Sequence, residues 1–429
     1  MKKYFFKRNV WLSDEEYLIE FPDNWDVTIY GDQPLPALSD IDIEEKFNHP
    51  IGCASIPFLA NNKKTAAIAI DDLSRPTPVT VILTKVIAQL KSVGIDEKDI
   101  TLLIATGTHK ALSSEDVLRK IDKLDFKEIK VIQHNCREDC VLIGHTDEGT
   151  PITINKKFLE SDVKISVGSV YPHPIAGFSG GNKMAVVGLG GYETIRILHD
   201  LKSGTSTLNR SIEHPFRWEI NKIAERIEID FCVNLVLNQN REICNMFAGH
   251  PEKAFVEAVD FVKSAFSVPL RKDADLIISD IYPFDMDLQF GFDRGIWPFE
   301  HAKKATQKVL LANCARGIGG HDLFPVSNPI QSRITRRIVN FQLKDLTQIG
   351  SRLQSIRNIL WRRSLHVIVV SPNISESELK TVLPKGQVVM NWQDALDKLV
   401  KLQTNKTNVK VVIYKASPLL LANFQDGTI

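Results

Sequence analysis

The sequence predicts an α/β protein with two domains. Its β-branched segments are short and almost continuously apolar, as in parallel strands that are covered on both faces. Amphipathic helical patterns lie between these segments, and such alternation is typical of α/β layers. The length of 429 residues fits two domains, since a domain commonly has roughly 100–200 residues.

The apolar segments predict eight strands, which are Thr65–Ile70, Ile100–Ala105, Ile129–Gln133, Val163–Val170, Leu276–Ile281, Val309–Asn313, His366–Val370 and Val409–Tyr414. Three helices are predicted between them. Val79–Val93 ends before Gly94, which suits a helix C-terminus. A second helix opens at Ser114, and Gln393–Leu402 forms a third.

The polar segment Phe266–Asp273 separates a helix from a new strand and is the predicted domain boundary. We expect an N-terminal catalytic and cofactor-binding domain at 1–270 and a C-terminal domain at 275–405. The last segment, 408–429, is expected to return to the first domain.

Charge and hydropathy exclude several classes of function. The 53 basic and 52 acidic residues give a net charge of +1, so no field attracts nucleic acid or an anionic membrane. No apolar segment approaches the ~20 residues that span a bilayer, and the N-terminus lacks a signal-peptide pattern. We therefore expect a cytoplasmic protein with no nucleic-acid or membrane partner. The six cysteines are expected to be reduced thiols.

Two motifs directly follow predicted strands. Asp71, Asp72 and Arg75 occur in DDLSRPTP, where carboxylates and a guanidinium suit a ligand with hydroxyl and carboxylate groups. An equally good interpretation is a helix start with aspartate caps and proline in the first turn. His109 follows the next strand, where an imidazole suits proton transfer near neutral pH, although a loop histidine is often only an exposed residue.

The segment YPHPIAGFSGGNK follows a third strand and contains His173, Gly180, Gly181 and Lys183. Its glycines allow tight turns whose amides can face an anion, but the spacing is not that of a Walker A motif. A purely structural turn is the alternative. His199 lies downstream, either as a metal ligand or as a structural histidine. Serine-hydrolase, zincin and simple dinucleotide-binding motifs are absent from the sequence.

These motifs, in this order, resemble the nickel-dependent lactate racemase family. His173, Lys183 and His199 keep the family's spacing of 10 and then 16 residues, and DIYPFDMD at 280–287 adds agreement. The resemblance spans roughly residues 20–400. It implies two α/β domains with an active-site cleft between them, and a nickel-pincer nucleotide as cofactor, which dedicated biosynthesis enzymes supply.

The resemblance also implies a role for each motif residue. Lys183 would hold the cofactor covalently, and His199 would be the protein ligand to nickel. His109 and His173 would be the acid/base pair that inverts a 2-hydroxy acid by proton-coupled hydride transfer. The remaining implied contacts are Arg75 to the substrate and Asp72, Gly180 and Gly181 to the cofactor.

One segment departs from the family pattern. After DIYPFDMD the family typically has a glutamine and, three positions later, a lysine, both near the substrate. Phe290 and Asp293 occupy these positions here, while a shift of one residue would present Gln289, with Arg294 restoring the charge. The departure predicts a 2-hydroxy acid other than lactate.

The nearby aromatic residues Phe290, Phe292 and Trp297 suggest a larger or more apolar acid, unless they are ordinary core residues. Two other functions remain open at this point. One is epimerisation of a sugar acid with the same cofactor, and the other is an inactive nucleotide- or metal-binding homologue. The sequence does not predict the oligomeric state.

Overall fold

The computed structural model describes residues 1–122, 124–200, 210–300, 302–320, 357, 360–403 and 406–423. The chain divides into two compact units. The first, here named the central unit, comprises Leu35–Ser203 and Arg210–Ala265. The second, named the terminal unit, contains Met1–Pro34 and Phe266–Ile429.

Strands and helices alternate along most of the described chain. The strands are β1 (Lys2–Arg8), β2 (Glu15–Phe21), β3 (Asp26–Tyr30), β4 (Ala66–Asp71), β5 (Ile100–Ala105), β6 (Lys130–Gln133), β7 (Cys140–His145), β8 (Pro151–Asn155), β9 (Val163–Ser169), β10 (Pro172–His173), β11 (Gly177–Phe178), β12 (Phe231–Leu237), β13 (Ile243–Gly249), β14 (Ser267–Pro269), β15 (Leu276–Asp280), β16 (Gln307–Leu311), β17 (Ile368–Val370), β18 (Gln387–Val389), β19 (Lys410–Tyr414) and β20 (Leu421–Asn423). The helices are α1 (Asp40–Asn48), α2 (Ile56–Leu59), α3 (Thr80–Lys91), α4 (Ser114–Lys120), α5 (Lys156–Leu159), α6 (Lys183–Gly188), α7 (Tyr192–Asp200), α8 (Pro215–Ile227), α9 (Pro251–Ala265), α10 (Leu288–Gly295), α11 (Glu376–Val382) and α12 (Trp392–Leu402).

The predicted α/β class is confirmed, and the eight predicted strands are present within two residues of their predicted bounds. The three predicted helices correspond to α3, α4 and α12. Periodicity located these elements well because each is strongly apolar on its buried side.

The central unit contains a six-stranded sheet in the order β13-β12-β9-β4-β5-β6. All its pairings are parallel except that of β12 with β13. From β4 the chain runs outward through β5 to β6, and it later returns to the other side of β4 with β9. The strand order therefore reverses between β4 and β9, and ligands of open α/β sheets bind at such a reversal.

Burial on both faces explains the apolar composition of the central strands. All six residues of β4 are buried, as are all seven of β12. Ile68 of β4 packs in one hydrophobic cluster with Leu83 and Val86 of α3, Leu102 of β5 and Val233 of β12. This packing fixes the carboxyl ends of the strands, from which the candidate site residues project.

The terminal unit contains a second six-stranded sheet, in the order β18-β17-β16-β15-β19-β3, with parallel pairings throughout. Here the domain prediction was wrong. Within the described residues, 408–423 do not return to the first domain, because β19 pairs with β15 in the register Leu276↔Val411. The N-terminal residues belong to the same unit, since β3 pairs with β19 in the register Asp26↔Lys410.

The division between the units falls at Phe266, the first residue of the predicted boundary segment. Within the described part of the chain, no helix is long and apolar enough to cross a membrane.

Candidate active site

Three loops of the central unit follow the carboxyl ends of adjacent strands. They begin after Asp71 of β4, Ala105 of β5 and Ser169 of β9. Since β5 and β9 are the two neighbours of β4, the loops carrying His109 and His173 lie on opposite sides of the β4 loop. The fold therefore brings three of the four predicted motifs to one edge of the sheet.

Asp72 and His109 form a hydrogen-bonded pair at this edge. The Asp72 Oδ2 atom lies 2.5 Å from Nδ1 of His109, and Ser74 donates its backbone amide to Oδ1 of Asp72 at 3.0 Å. Burial alone would raise the pKa of Asp72, but His109, with Arg75 and Ser74, holds that pKa well below its usual value. An ionised carboxylate only accepts, so Nδ1 of His109 carries the hydrogen and the lone pair of the neutral ring lies on Nε2.

Arg75 lies on the β4 loop with Asp72 and is partly exposed. Its Nη1 atom donates to Oγ of Ser74 at 3.0 Å. Its charge also helps to keep Asp72 ionised. The guanidinium is therefore placed beside the Asp72–His109 pair, where it can offer parallel hydrogen bonds to a carboxylate.

Asp71 has a structural role, in contrast to the ligand-binding role considered for both aspartates. Lys120 of α4 is buried and donates to Oδ1 of Asp71 at 2.5 Å and to the carbonyl of Thr77 at 3.1 Å. Burial lowers the pKa of Lys120, and Asp71 opposes this effect. The Thr77 hydroxyl donates to Oδ2 of Asp71 at 2.5 Å. This buried ion pair fixes the β4 loop, and sequence reasoning missed it because Lys120 resembles an ordinary cation in a last helical turn.

His173 lies in the short hairpin of β10 and β11 and is buried. Its Nδ1 atom accepts hydrogen bonds from the amides of Ile175 at 3.2 Å and Ala176 at 3.1 Å. A nitrogen that accepts two N–H groups carries no hydrogen, so the neutral ring is protonated on Nε2. The two histidines therefore have opposite tautomers, with a lone pair on Nε2 of His109 and a hydrogen on Nε2 of His173.

The glycines of the loop after β9 are required by its packing. At Gly177 a Cβ atom would lie 1.8 Å from the Ser211 carbonyl oxygen, and at Gly181 it would lie 2.6 Å from the Phe255 ring. The Gly181 amide donates to Oδ1 of Asn234 at 2.8 Å. This donor is engaged within the protein, so the expectation that both glycine amides face a phosphate needs correction at Gly181.

Arg217 of α8 anchors the same loop from within the unit. It is buried, and its guanidinium donates to the carbonyls of Ala176 at 3.2 Å and Gly180 at 3.4 Å. It also lies 4.3 Å from the centroid of the Phe255 ring. Burial lowers the pKa of Arg217 to about 9, with Glu252 opposing this effect. Arg217 was not identified from the sequence, because no local pattern indicates such an anchoring role.

Lys183 and His199 lie on consecutive helices. Lys183 is the first residue of α6 and is partly exposed, while His199 lies in the last turn of α7. Nδ1 of His199 donates to the Ile195 carbonyl at 2.7 Å. Metal-binding histidines commonly donate their other N–H to a carbonyl in this way. Among the residues that the structure describes, no group of three or more His, Cys, Asp or Glu side chains could hold a metal.

Comparisons with known proteins identify the family of this chain. Residues 12–209 match the family described as "Lactate racemase N-terminal domain". The lactate racemase of Lactiplantibacillus plantarum is 30% identical over 299 residues, which cover 67% of this chain and 70% of that protein. The lactate racemase of Thermoanaerobacterium thermosaccharolyticum is 28% identical over 296 residues, covering 67% and 69%. This chain belongs to the lactate racemase family. It is an enzyme of the racemase and epimerase class of isomerases.

Solved structures agree on the fold. The lactate racemase apoprotein from T. thermosaccharolyticum superposes with a TM-score of 0.75, at 21% identity, over 99% of this chain and 100% of that one. A Thermotoga maritima protein gives a TM-score of 0.59 at 16% identity, over 86% and 97%. The match to the lactate racemase N-terminal domain includes all eight site residues predicted from the sequence.

The segment that departs from the lactate racemase pattern lies in the terminal unit. Asp293 of α10 forms an ion pair with Arg362, so its charge is matched within the unit. Arg294 is buried and donates to the Phe290 carbonyl at 2.7 Å. Its guanidinium lies 5.2 Å from the ring centroid of Phe284 and 5.6 Å from that of Phe290. Arg294 is therefore embedded among aromatic rings.

Two of the three aromatic residues proposed to set substrate size are buried within the terminal unit. Trp297 donates from Nε1 to the Ser417 carbonyl at 2.9 Å and contacts the Tyr414 ring at 4.8 Å between centroids. Phe292 is also buried, while Phe290 is only partly so. Trp297 and Phe292 are therefore core residues of the terminal unit, and only Phe290 of the three is partly exposed.

Proposed function

We propose that this chain inverts the configuration of a 2-hydroxy acid through a reversible oxidation at the carbon that bears the hydroxyl. The observation that carries the proposal is the pair of histidines, the partly buried His109 and the buried His173, which have opposite tautomers and lie on the two sides of the β4 loop. Direct removal of the α-hydrogen is difficult because the neighbouring carboxylate makes it very weakly acidic. Oxidation to a planar 2-keto acid removes the stereocentre and avoids that carbanion.

His109 is suited to accept the hydroxyl proton. Its Nδ1–H is held by the ionised Asp72, and its Nε2 lone pair can act as a general base. A paired carboxylate also stabilises the imidazolium that forms when the proton arrives. Arg75, which lies on the β4 loop with Asp72, would hold the substrate carboxylate beside His109.

His173 is suited to donate a hydrogen bond to the substrate oxygen from Nε2. To accept a proton at Nε2, the ring must first place its hydrogen on Nδ1. That change gives up the bonds from the amides of Ile175 and Ala176. The two histidines therefore start from different tautomers. When the substrate hydroxyl faces His173, proton transfer to Nε2 requires the 173–176 turn to rearrange.

The cofactor proposed for the family fits the residues present. When bound, a nickel-pincer nucleotide would accept and return the hydride. Lys183 would hold it covalently, His199 would offer Nε2 to nickel, and Asp72 would contact it. In the loop after β9, Gly180 remains the glycine proposed to contact the cofactor phosphate, because the amide of Gly181 already donates to Asn234.

The proposed substrate is a 2-hydroxy acid other than lactate. Asp293 replaces a lysine of the family pattern and is paired with Arg362, and Phe290 replaces a glutamine. With an apolar ring in place of an amide, an acid with a larger apolar substituent is favoured. We expect kcat/KM for lactate to be at least about tenfold below that for the preferred acid, which is the discrimination that one or two methylene groups supply. Equal turnover of lactate and all bulkier acids would contradict this.

The direct test uses 2-hydroxy acids with deuterium at C2, given singly as each enantiomer in ordinary water. The enzyme is co-expressed with the cofactor biosynthesis enzymes. We expect the mirror-image product to retain its deuterium, because the same hydride returns to the same carbon. Loss of deuterium to solvent would show direct deprotonation instead. Failure to invert any acid would favour an inactive binding homologue.

A further inference from the structure

The turn that joins α6 to α7 is bound by elements on several sides. The carbonyl of Gly188 accepts from the Gly107 amide at 2.9 Å, and the carbonyl of Leu189 accepts from the Asn155 amide at 2.9 Å. The Gly191 amide donates to the Thr153 carbonyl at 2.9 Å. Since Lys183 begins α6 and His199 lies in the last turn of α7, the geometry of this turn affects how the two residues are arranged.

The remaining carbonyl of the turn, that of Gly190, accepts from a buried histidine. Nε2 of His134 lies 2.9 Å from this oxygen, and Nδ1 of His134 lies 3.1 Å from Nδ2 of Asn155. A carbonyl only accepts, so Nε2 carries the hydrogen and Nδ1 accepts from Asn155. The Asn155 amide orientation is fixed in turn, because its Oδ1 accepts from the Phe158 amide at 3.1 Å.

His134 also connects the turn to the loop of His109. Its backbone amide donates to the Ile104 carbonyl at 3.0 Å, and its carbonyl accepts from the Thr106 hydroxyl at 2.6 Å. Both partners lie at the end of β5, from which the His109 loop departs. His134 therefore forms hydrogen bonds both at the end of β5, which precedes the His109 loop, and to the turn between α6 and α7, the helices that carry Lys183 and His199.

The turn has little room to adopt another conformation. A Cβ atom at Gly190 would lie 2.4 Å from the Val186 carbonyl oxygen, and one at Gly191 would lie 2.6 Å from Cγ2 of Thr153. The hydrogen bonds of His134 and Asn155 act on this closely packed turn together with its backbone bonds to Gly107 and Thr153. Loss of the His134 side chain would remove the hydrogen-bond donor to the Gly190 carbonyl, and a buried acceptor left without a donor is destabilising.

We propose that His134 and Asn155 are positioning residues that fix the α6–α7 turn and thereby hold Lys183 and His199 in place for the cofactor. This inference rests on the proposed function for the roles of Lys183 and His199. The hydrogen bonds of His134 and Asn155 to the turn do not depend on the proposed function. Groups that orient a metal ligand commonly change metal affinity by roughly 10–100-fold when they are lost.

The test compares three variants of the full chain. His134→Phe keeps a ring of similar size and removes both hydrogen bonds. His134→Gln keeps an N–H that can reach the Gly190 carbonyl. His145→Gln changes an exposed histidine of β7 and serves as the matched control.

Two measurements are made on each variant. Hydrogen exchange of the apoprotein reports on amides 184–198, and nickel retained after dialysis reports on the co-expressed holoprotein. For His134→Phe we expect faster exchange in 184–198 with unchanged exchange in β4, and nickel loss about tenfold faster than in the parent. His134→Gln should recover most of both properties, and His145→Gln should match the parent.

Should His134→Phe fail to fold, Asn155→Asp provides a second variant. Its carboxylate keeps the acceptor for the Phe158 amide but replaces the donor to His134 with an acceptor. His134 must then bind a proton to restore the bond, so nickel retention should become weaker at high pH than at low pH, relative to the parent. Apart from residue 155, Asp139 is the charged group that acts on His134.

Unchanged exchange in 184–198 for His134→Phe would overturn the role of His134 in holding the turn. Faster exchange with unchanged nickel retention would overturn the link to the cofactor. If the parent itself takes up no nickel, the proposed function fails, while the exchange measurement still decides whether His134 holds the turn. Equal defects in His134→Phe and His134→Gln would also contradict the proposal, because the Gln variant keeps the N–H donor.

Discussion

At the scale of single residues, the pairing of Asp72 with His109 determines which nitrogen can act as a base. The hydrogen bond of 2.5 Å joins two loops that follow adjacent strands. Asp72 stays ionised despite its burial, since His109, Arg75 and Ser74 together outweigh the effect of desolvation. The carboxylate therefore acts through His109, whether or not it also touches the cofactor.

Replacing Asp72 tests this role. Asp72→Asn keeps the size of the side chain but removes the charge that orients and stabilises the His109 imidazolium. We expect kcat to fall by about 10²- to 10⁴-fold, the contribution typical of general acid–base catalysis, with a smaller effect on KM. Steady-state kinetics on both enantiomers provide the measurement. Ser74→Ala, which removes one neutral partner of Asp72, should cost much less, and equal effects of the two variants would contradict the role.

The sequence predicted these residues but not their contacts. Asp72, His109 and His173 were located because each follows an apolar strand, and parallel strands end at one edge of a sheet. The ion pair of Asp71 with Lys120 was not predictable, because it joins a strand end to a helix 49 positions away. Local sequence carries no signal for such a partner.

At the scale of elements, the loop after β9 is shaped by β12 and α8. Strand β12 was not predicted, although its sequence FCVNLVL is almost wholly apolar. Its Asn234 interrupts the apolar pattern, and the structure shows the reason: Oδ1 of Asn234 accepts from the Gly181 amide. A residue that weakens the strand pattern is thus the one that fixes the neighbouring loop.

Gly181 gives a test of this packing. Gly181→Ala adds a Cβ atom 2.6 Å from the Phe255 ring at a φ of +58°. Gly94→Ala is the matched control, with a φ of +90° and no atom within 4 Å of the added carbon. The control should lose about 1–2 kcal/mol from backbone strain alone, and Gly181→Ala about 1–3 kcal/mol more from overpacking. Urea denaturation measures both, and equal losses would contradict the tight packing.

At the scale of the whole molecule, the division of the chain was the least predictable feature. The terminal unit joins β3 near the N-terminus to β19 near the C-terminus, in the register Ile29↔Ile413. Strand β3 has five residues, and its partner lies almost the whole chain away, so no local pattern indicates the pairing. The predicted boundary at Phe266 was visible because it is a local change of composition.

Two buried carboxyl groups make the terminal unit sensitive to pH. Burial raises the pKa of Asp280 to about 7 and that of Asp285 to about 6. The folded unit therefore keeps protons that the unfolded chain releases from about pH 4 upward. Their contribution to stability is complete below that pH and is lost as the pH rises through 6 to 7.

The variant Asp285→Asn isolates this effect. Between pH 5 and pH 8 its free energy of unfolding should rise relative to that of the parent by about 1 kcal/mol, because the amide does not ionise. Urea denaturation at the two pH values, followed by tryptophan fluorescence, gives the difference. Asp147→Asn, at an exposed loop position, should show no such gain. A difference that stays constant with pH would contradict the raised pKa.

The proposed function requires that this chain carries the cofactor on Lys183 with nickel on His199. The most direct test is the intact mass and nickel content of the chain after co-expression with the cofactor biosynthesis enzymes, beside Lys183→Arg and His199→Ala. We predict an added mass on Lys183 and about one nickel per chain, as expected for a single histidine ligand completed by the bound group. Lys183→Arg should lose the adduct, and His199→Ala should lose nickel. An unmodified, nickel-free parent from cells that make the cofactor would contradict the account.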